Sequence, residues 1–316
     1  MDIELLTPEK YESFYKKDSY CYLSAKFCEL NSYKVDEVLY FLFKDKKNRF
    51  LTSFGLKDGK LLCPYSAPFG IVSSLKEKQK IEHFEECINT LINYSKQKNI
   101  SEIEITLPPI FYDENIISKW VNVILRARGS IKKIDLNYQF NLNKIKENGY
   151  SKYLSHSGRK NLSIAENSDN EFCVCKTIQD KRKAYDVICE NRKNKGYPLR
   201  MSYKQISETI SILNNNCFLV KNKERIIASA IVFDVTPKIA QVIYWGDVKG
   251  VSNLKPINYL AKCLVEYYSD KNYMYLDVGP STENSIPNYG LCDFKESIGC
   301  EVSSKITLCI NDINKI

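Results

Sequence analysis

Two stretches of the chain repeat one order of apolar and polar positions. Residues 41–56, FLFKDKKNRFLTSFGL, align without gaps on residues 218–233, FLVKNKERIIASAIVF, with four identities in sixteen and most apolar positions matched. Each reads as a strand, a charged turn and a second strand. A further turn leads in each case to a third strand, LLCPYSAPFG from 61 and IAQVIYWGD from 239. A helix is predicted next. In the first half it lies near 78–97, where Ile81, Phe84, Cys87, Ile88, Leu91 and Ile92 recur at helical spacing. In the second half it is PINYLAKCLVEYYSD, 256–270, with Asn253 as its expected cap and Pro256 in a first turn that tolerates proline. A strand follows both helices, KNISEIEITLPP at 98 and KNYMYLDVGPS at 271. The shared Lys-Asn entry and proline exit at nearly constant offset point to a duplicated domain.

Between the copies, residues 145–168 and 178–193 read as basic helical segments that open the second copy. Three antiparallel strands, a helix and a further strand, twice over, predict an α+β protein. Each copy is then a mixed, mostly antiparallel sheet flanked by helices, and the predicted division is residues 1–144 and 145–316.

Composition adds little to this frame. With 44% hydrophobic and 27% charged residues, the chain matches ordinary globular proteins. Its start, MDIELLTPEKYESFYKK, lacks the apolar core of a secretory signal, and no later run reaches the roughly 18 apolar residues of a membrane span. A cytoplasmic protein without a membrane span is expected. Of twelve cysteines only Cys173 and Cys175 lie close together, so no zinc spacing appears and reduced, buried thiols are expected. His83 and His156 are the only histidines, too few for a metal site. The formal charge of +8 is spread along the chain and favours a phosphate-bearing partner: a nucleotide cofactor, tRNA or an anionic lipid-linked sugar. No DNA partner is expected.

Candidate chemistry concentrates in the second half. Residues 241–258, QVIYWGDVKGVSNLKPIN, place a turn between a strand and a helix start, where unpartnered amides and the helix dipole favour an anion. Gly246 and Gly250 would let backbone approach a ligand there, although the same turn also joins strand to helix without one. Three motifs, NRKNKGYPLRMS (191–202), VIYWGD (242–247) and LDVGPSTENSIPNYGLCDFKESIGC (276–300), together resemble the GNAT superfamily of acyltransferases, and more closely its tandem FemAB-like branch. The last motif is the most specific: a strand, D-x-G-x-S-T, a short loop, N-x-G-L, then F-K and a closing glycine.

The resemblance implies two tandem GNAT-like domains with the donor site in the second. The strand 239–246 would splay from the strand after it, and an acyl-coenzyme A such as acetyl-coenzyme A would lie along Tyr244, Trp245, Gly246, Gly250, Asn253 and Lys255. The superfamily's glycine-rich pyrophosphate signature is replaced here by VKGVSNLKP. The resemblance also gives the 276–300 loop a role. Glu283 or Asp247 would accept a proton, Tyr289 would supply one, and Lys295 would stabilise developing charge or hold a phosphate. Lys295→Ala is accordingly expected to reduce turnover at a nearly unchanged melting temperature. Asp277, Ser281, Thr282 and Asn288 would meet substrate at the sheet's carboxyl edge. Arg159, Arg192, Lys195 and Tyr197 in the second copy, and Tyr65, Ser66 and Phe69 in the first, would recognise an acceptor through charge and flat rings. Each of these also has a structural role open to it, as turn, cap or solvated helix face. The reaction implied is acyl transfer to an amine or hydroxyl of a small-molecule, lipid-linked sugar or peptide acceptor, a cell-envelope or polysaccharide precursor. Aminoacyl transfer from tRNA and a degenerate binding module are the alternatives.

Overall fold

The computed structural model describes residues 1–15 and 19–313 and resolves into two compact units. One comprises Met1–Leu136, Asn284–Ile286 and the stretch from Ser303; the other comprises Asn137–Glu283 and Pro287–Val302.

The first unit runs β1 (Asp2–Leu6), α1 (Pro8–Phe14), α2 (Ala25–Leu30), β2 (Glu37–Lys44), β3 (Asn48–Lys57), β4 (Lys60–Cys63), β5 (Ser73–Ser74), α3 (Ile81–Gln97), β6 (Glu102–Thr106), α4 (Glu114–Arg126) and the start of β7 (Ser130–Asn141). From Asn137 the second unit continues through α5 (Leu142–Asn148), α6 (His156–Glu166), β8 (Asn170–Val174), α7 (Ile178–Lys195), α8 (Tyr203–Ile212), β9 (Asn215–Asn222), β10 (Arg225–Thr236), β11 (Ile239–Asp247) and α9 (Pro256–Asp270). It ends with β12 (Tyr275–Pro280), the short pair β13 (Thr282–Glu283) and β14 (Ile286–Pro287), α10 (Tyr289–Ser297) and the start of β15 (Glu301–Ile310).

In the first unit the strand order is β1-β2-β3-β4-β6-β15. Every neighbouring pair is antiparallel except β4 and β6, which run parallel from Lys60↔Glu102 to Cys63↔Ile105. The turn from β3 to β4 is Asp58-Gly59, both at positive φ, the conformation a tight hairpin requires. The apolar stripe predicted on the helix is buried: Phe84, Cys87, Ile88 and Leu91 of α3 join Trp120 of α4 over Phe41, Phe43, Phe50 and Phe54. Phe50 meets Phe84 and Trp120 edge-on, with ring centres 5.0 and 5.2 Å apart. β4 is shorter than the expected third strand, because Pro64 has no N–H to continue a ladder.

The second unit repeats the plan in the order β7-β12-β11-β10-β9-β8, with β11 and β12 as its parallel pair. Leu260, Ala261, Leu264 and Tyr268 of α9 pack on Val220, Ala228, Ala230 and Val232. Three expectations are corrected. Residues 145–168 form two helices, since Gly149 takes φ +83° and stops α5. Asn253 does not cap α9; Lys255, at φ +48°, occupies that position and Asn253 lies in the turn before it. The division falls at 136/137, and the chain from Ser303 belongs with the first unit, where β15 pairs with β6 and buries Leu308 and Ile310 in that unit's core. All twelve cysteines are free thiols, and among the described residues no helix is long and apolar enough to cross a membrane.

Candidate functional site

The parallel ladder between β11 and β12 consists of three pairs, Ile239↔Tyr275, Ala240↔Leu276 and Gln241↔Asp277. Beyond Gln241, β11 stays paired with β10 as far as Asp247, and beyond Asp277, β12 stays paired with β7 as far as Pro280. Each of those outer ladders carries a register shift at the point of separation, between Ile231 and Val232 on β10 and between Asp277 and Gly279 on β12. Such irregularities bend a strand away from its neighbour. The two strands therefore part beyond Gln241↔Asp277, with Val242–Asp247 on one side and Val278–Pro280 on the other.

Two buried charges sit at this point, and both correct the sequence-based roles. Asp277, expected to touch substrate, is fully buried; its carboxylate accepts from Asn137 Nδ2 (2.7 Å), Gln241 Nε2 (2.7 Å) and the Gly279 amide (2.8 Å). Lys295, expected to act on the reacting group, is also buried. Its ammonium donates to the carbonyls of Val278 (2.9 Å), Gly279 (2.8 Å) and Pro280 (3.1 Å) and lies 5.4 Å from the centre of the Tyr138 ring. An ammonium has three donors, so the strand end occupies all of them. Ser281 and Thr282 are buried too, instead of projecting into a mouth. Asn288 spends its side-chain oxygen capping α10, and Tyr289 beside it is 76% exposed.

The three motifs do converge around the end of β11. Arg192, in the last turn of α7, lies between Tyr197 and Tyr244, 5.8 and 5.7 Å from their ring centres. Its Nε is buried without a hydrogen bond, and burial lowers the pKa of a group that stays charged regardless. Burial also raises the Tyr244 phenol, while the Arg192 charge pulls it back. Arg200 pairs with Glu283 at 2.7 Å with both side chains more than two-thirds exposed, and Asn288 donates to the Tyr197 hydroxyl at 3.4 Å. Asn191 donates to the Asp247 carbonyl (2.8 Å) and to Asp247 Oδ1 (2.9 Å), with Lys195 3.4 Å from the same oxygen. Asp247 Oδ2 carries no hydrogen bond among the described residues.

Elsewhere the expected donor contacts have structural partners. A Cβ on Gly246 would come within 2.6 Å of the Asn191 side chain, so this glycine makes room for α7. Gly250 is a turn residue at φ +85°. After β11, the Lys249 amide donates to Glu190 Oε1 (3.2 Å) and its carbonyl accepts from Arg225 (3.3 Å). Trp245 is half-buried against Phe294. Arg159 folds onto the Leu154 carbonyl of its own chain segment at 2.6 Å. Tyr65, Ser66 and Phe69 lie in the first unit, where they line a small recess with Tyr22, Phe27 and Cys28. Tyr65 donates to the Cys28 carbonyl there at 2.6 Å.

Sequence reasoning passed over Gln241, Asn137, Asn191 and Arg200. Gln241 left a signal, a lone amide in the apolar run IAQVIYW, where an unpaired polar group would be costly. The other three meet their partners only through the fold.

No family model matches the chain, and no curated protein matches it. Among solved structures, FemX superposes with a TM-score of 0.72 at 11% identity, covering 100% of this chain and 98% of that one. L-PGS from Bacillus licheniformis gives 0.62 at 14% identity, covering 98% and 93%. The C-terminal domain of a proposed lysylphosphatidylglycerol synthetase from Agrobacterium fabrum gives 0.61 at 10% identity, covering 96% and 93%. At such identities the likeness speaks for architecture alone, and with the repeated sheet it shows that this chain has the fold of FemX and L-PGS.

Proposed function

We propose that the protein is an acyltransferase that moves an acyl or aminoacyl group from an activated ester to an amine or hydroxyl of a cell-envelope or polysaccharide precursor. The observation that carries this reading is the three-pair ladder between β11 and β12, which ends at Gln241↔Asp277 and leaves β11 from Val242 onward without β12 as its neighbour. A donor carbonyl beside that stretch would have edge amides available for the oxyanion. Asp247 is our choice of base, because Asn191 holds one of its oxygens and leaves the other open. It would take the proton as the acceptor's lone pair attacks the carbonyl carbon, and return it to the departing oxygen or sulfur as that bond breaks. Arg192 would grip a phosphate or carboxylate of the acceptor, since a half-buried permanent cation whose Nε has no hydrogen-bond partner among the described residues gains from an anion.

Between donors, the turn after β11 favours an aminoacyl ester of tRNA over acyl-coenzyme A. Its Lys249 amide already faces the Glu190 carboxylate, which would repel a pyrophosphate. The name of the Agrobacterium neighbour, a lysyl-lipid synthetase, fits aminoacyl transfer as well. Thermal shift with acetyl-coenzyme A and with aminoacyl-tRNA decides the matter, as a ligand at a hundred times its Kd adds about 2.7 kcal/mol. Stabilisation by charged tRNA alone is the expected result. Stabilisation by acetyl-coenzyme A alone would restore the other donor, and none with either would favour a binding module. Arg192→Met should separately weaken binding of inorganic pyrophosphate by roughly ten- to a hundredfold, the loss of one charged hydrogen-bonding group. An unchanged pyrophosphate Kd would remove Arg192 from acceptor recognition.

A further inference from the structure

We infer that Asp277 is a positioning residue: its carboxylate fixes where β11 and β12 part and turns the 278–280 backbone toward Lys295. The carboxylate touches three elements at once, Asn137 on β7, Gln241 on β11 and its own strand at Gly279. Gln241↔Asp277 is the last pair of the parallel ladder, so the side-chain bond lies at the seam where the backbone bonds stop. The bond to the Gly279 amide folds the chain back on itself across Val278, with Gly279 at φ +75°. In that conformation the carbonyls of 278, 279 and 280 all meet one ammonium.

Stability alone does not account for this arrangement. A carboxylate and an ammonium are buried at one strand end, and two neighbouring oxygens, Asn137 Oδ1 and Ser281 Oγ, are buried without any hydrogen bond. Well-packed apolar residues at such positions are commonly as stable or more so. Retained buried polarity of this kind is expected where a geometry has to be held for function. The inference rests on the acyl-transfer reading for its effect on turnover, but the geometry is testable without substrate.

The experiment is amide hydrogen exchange by mass spectrometry on Asp277→Asn, which keeps the side chain's size and removes its charge. Exchange is expected to accelerate at least tenfold in peptides covering 276–283 and 239–247, while α9 and the first unit keep wild-type rates. Uniform acceleration across the second unit would reduce Asp277 to a stability element and overturn the inference, as would unchanged exchange at 276–283. Gln241→Met, which withdraws one donor, carries the same test should Asp277→Asn fail to fold. In aminoacyl transfer from charged tRNA, Asp277→Asn should lose tenfold or more in kcat with KM within about twofold. Wild-type kcat in the variant overturns the inference. Local loosening in a protein that transfers nothing supports the positioning role while refuting the acyl-transfer reading.

Discussion

Lys295→Met is expected to destabilise the protein by about 3–5 kcal/mol, the range for removing one partner of a buried charged cluster. At roughly 2–4 °C per kcal/mol for a unit of this size, the melting temperature should fall by roughly 6–20 °C. The residue is 2% exposed, and its removal leaves the carbonyls of Val278 and Gly279 buried without their donor. The Phe-Lys motif alone suggests the opposite pattern, lost turnover in a protein as stable as before. Differential scanning calorimetry separates the two. A melting temperature within a degree of wild type, with turnover abolished, would mean that the ammonium leaves its carbonyls to work on substrate.

Gly158→Ala is the second large effect, and its sign runs against the usual helix preference. Replacing glycine by alanine inside a helix ordinarily gains about 0.5–1 kcal/mol. Here a Cβ would lie 2.0 Å from the Ser297 carbonyl oxygen, where the start of α6 meets the end of α10 and Ser155 donates to that oxygen at 3.1 Å. The clash is with backbone, so no side-chain rotation relieves it, and a loss of about 3 kcal/mol or more is expected, at the upper end of overpacking effects. Gly290 is the built-in control. It lies in α10, and the nearest atom to its Cβ would be 3.8 Å away, so Gly290→Ala should gain the ordinary increment. Denaturant titration of both variants should show shifts of opposite sign. Equal shifts would mean that the α6–α10 contact is not as close as described.

The fold was legible wherever a pattern was local. The stripe from Ile81 to Ile92, the paired hairpins at 41–56 and 218–233, and the Pro256 helix all depend on neighbours in sequence, and all appear in the structure as helices and strands. The path of the C-terminal strand was not legible, because β15 pairs with β6 some two hundred residues away, at Thr307↔Thr106. The candidate site shows the same limit. The three motifs around Arg192, Tyr244 and Glu283 were visible as motifs, and the fold brings them together. Which charged residue would face solvent was not visible. Lys295 and Asp277 looked available for chemistry, yet burial and saturated hydrogen bonds make them the frame of the strand end. Asp247 is half-buried with one oxygen oriented by Asn191, and its proposed role as base rests on that contact, which its own sequence position does not supply.

The most direct test of the account is a crystal structure of the protein with an aminoacyl-adenosine amide, a stable mimic of the charged tRNA end. The ligand's carbonyl is expected between Val242–Asp247 and Val278–Pro280, with the β11–β12 ladder still ending at Gln241↔Asp277. Strands paired continuously past that point, or a ligand bound elsewhere, would contradict it.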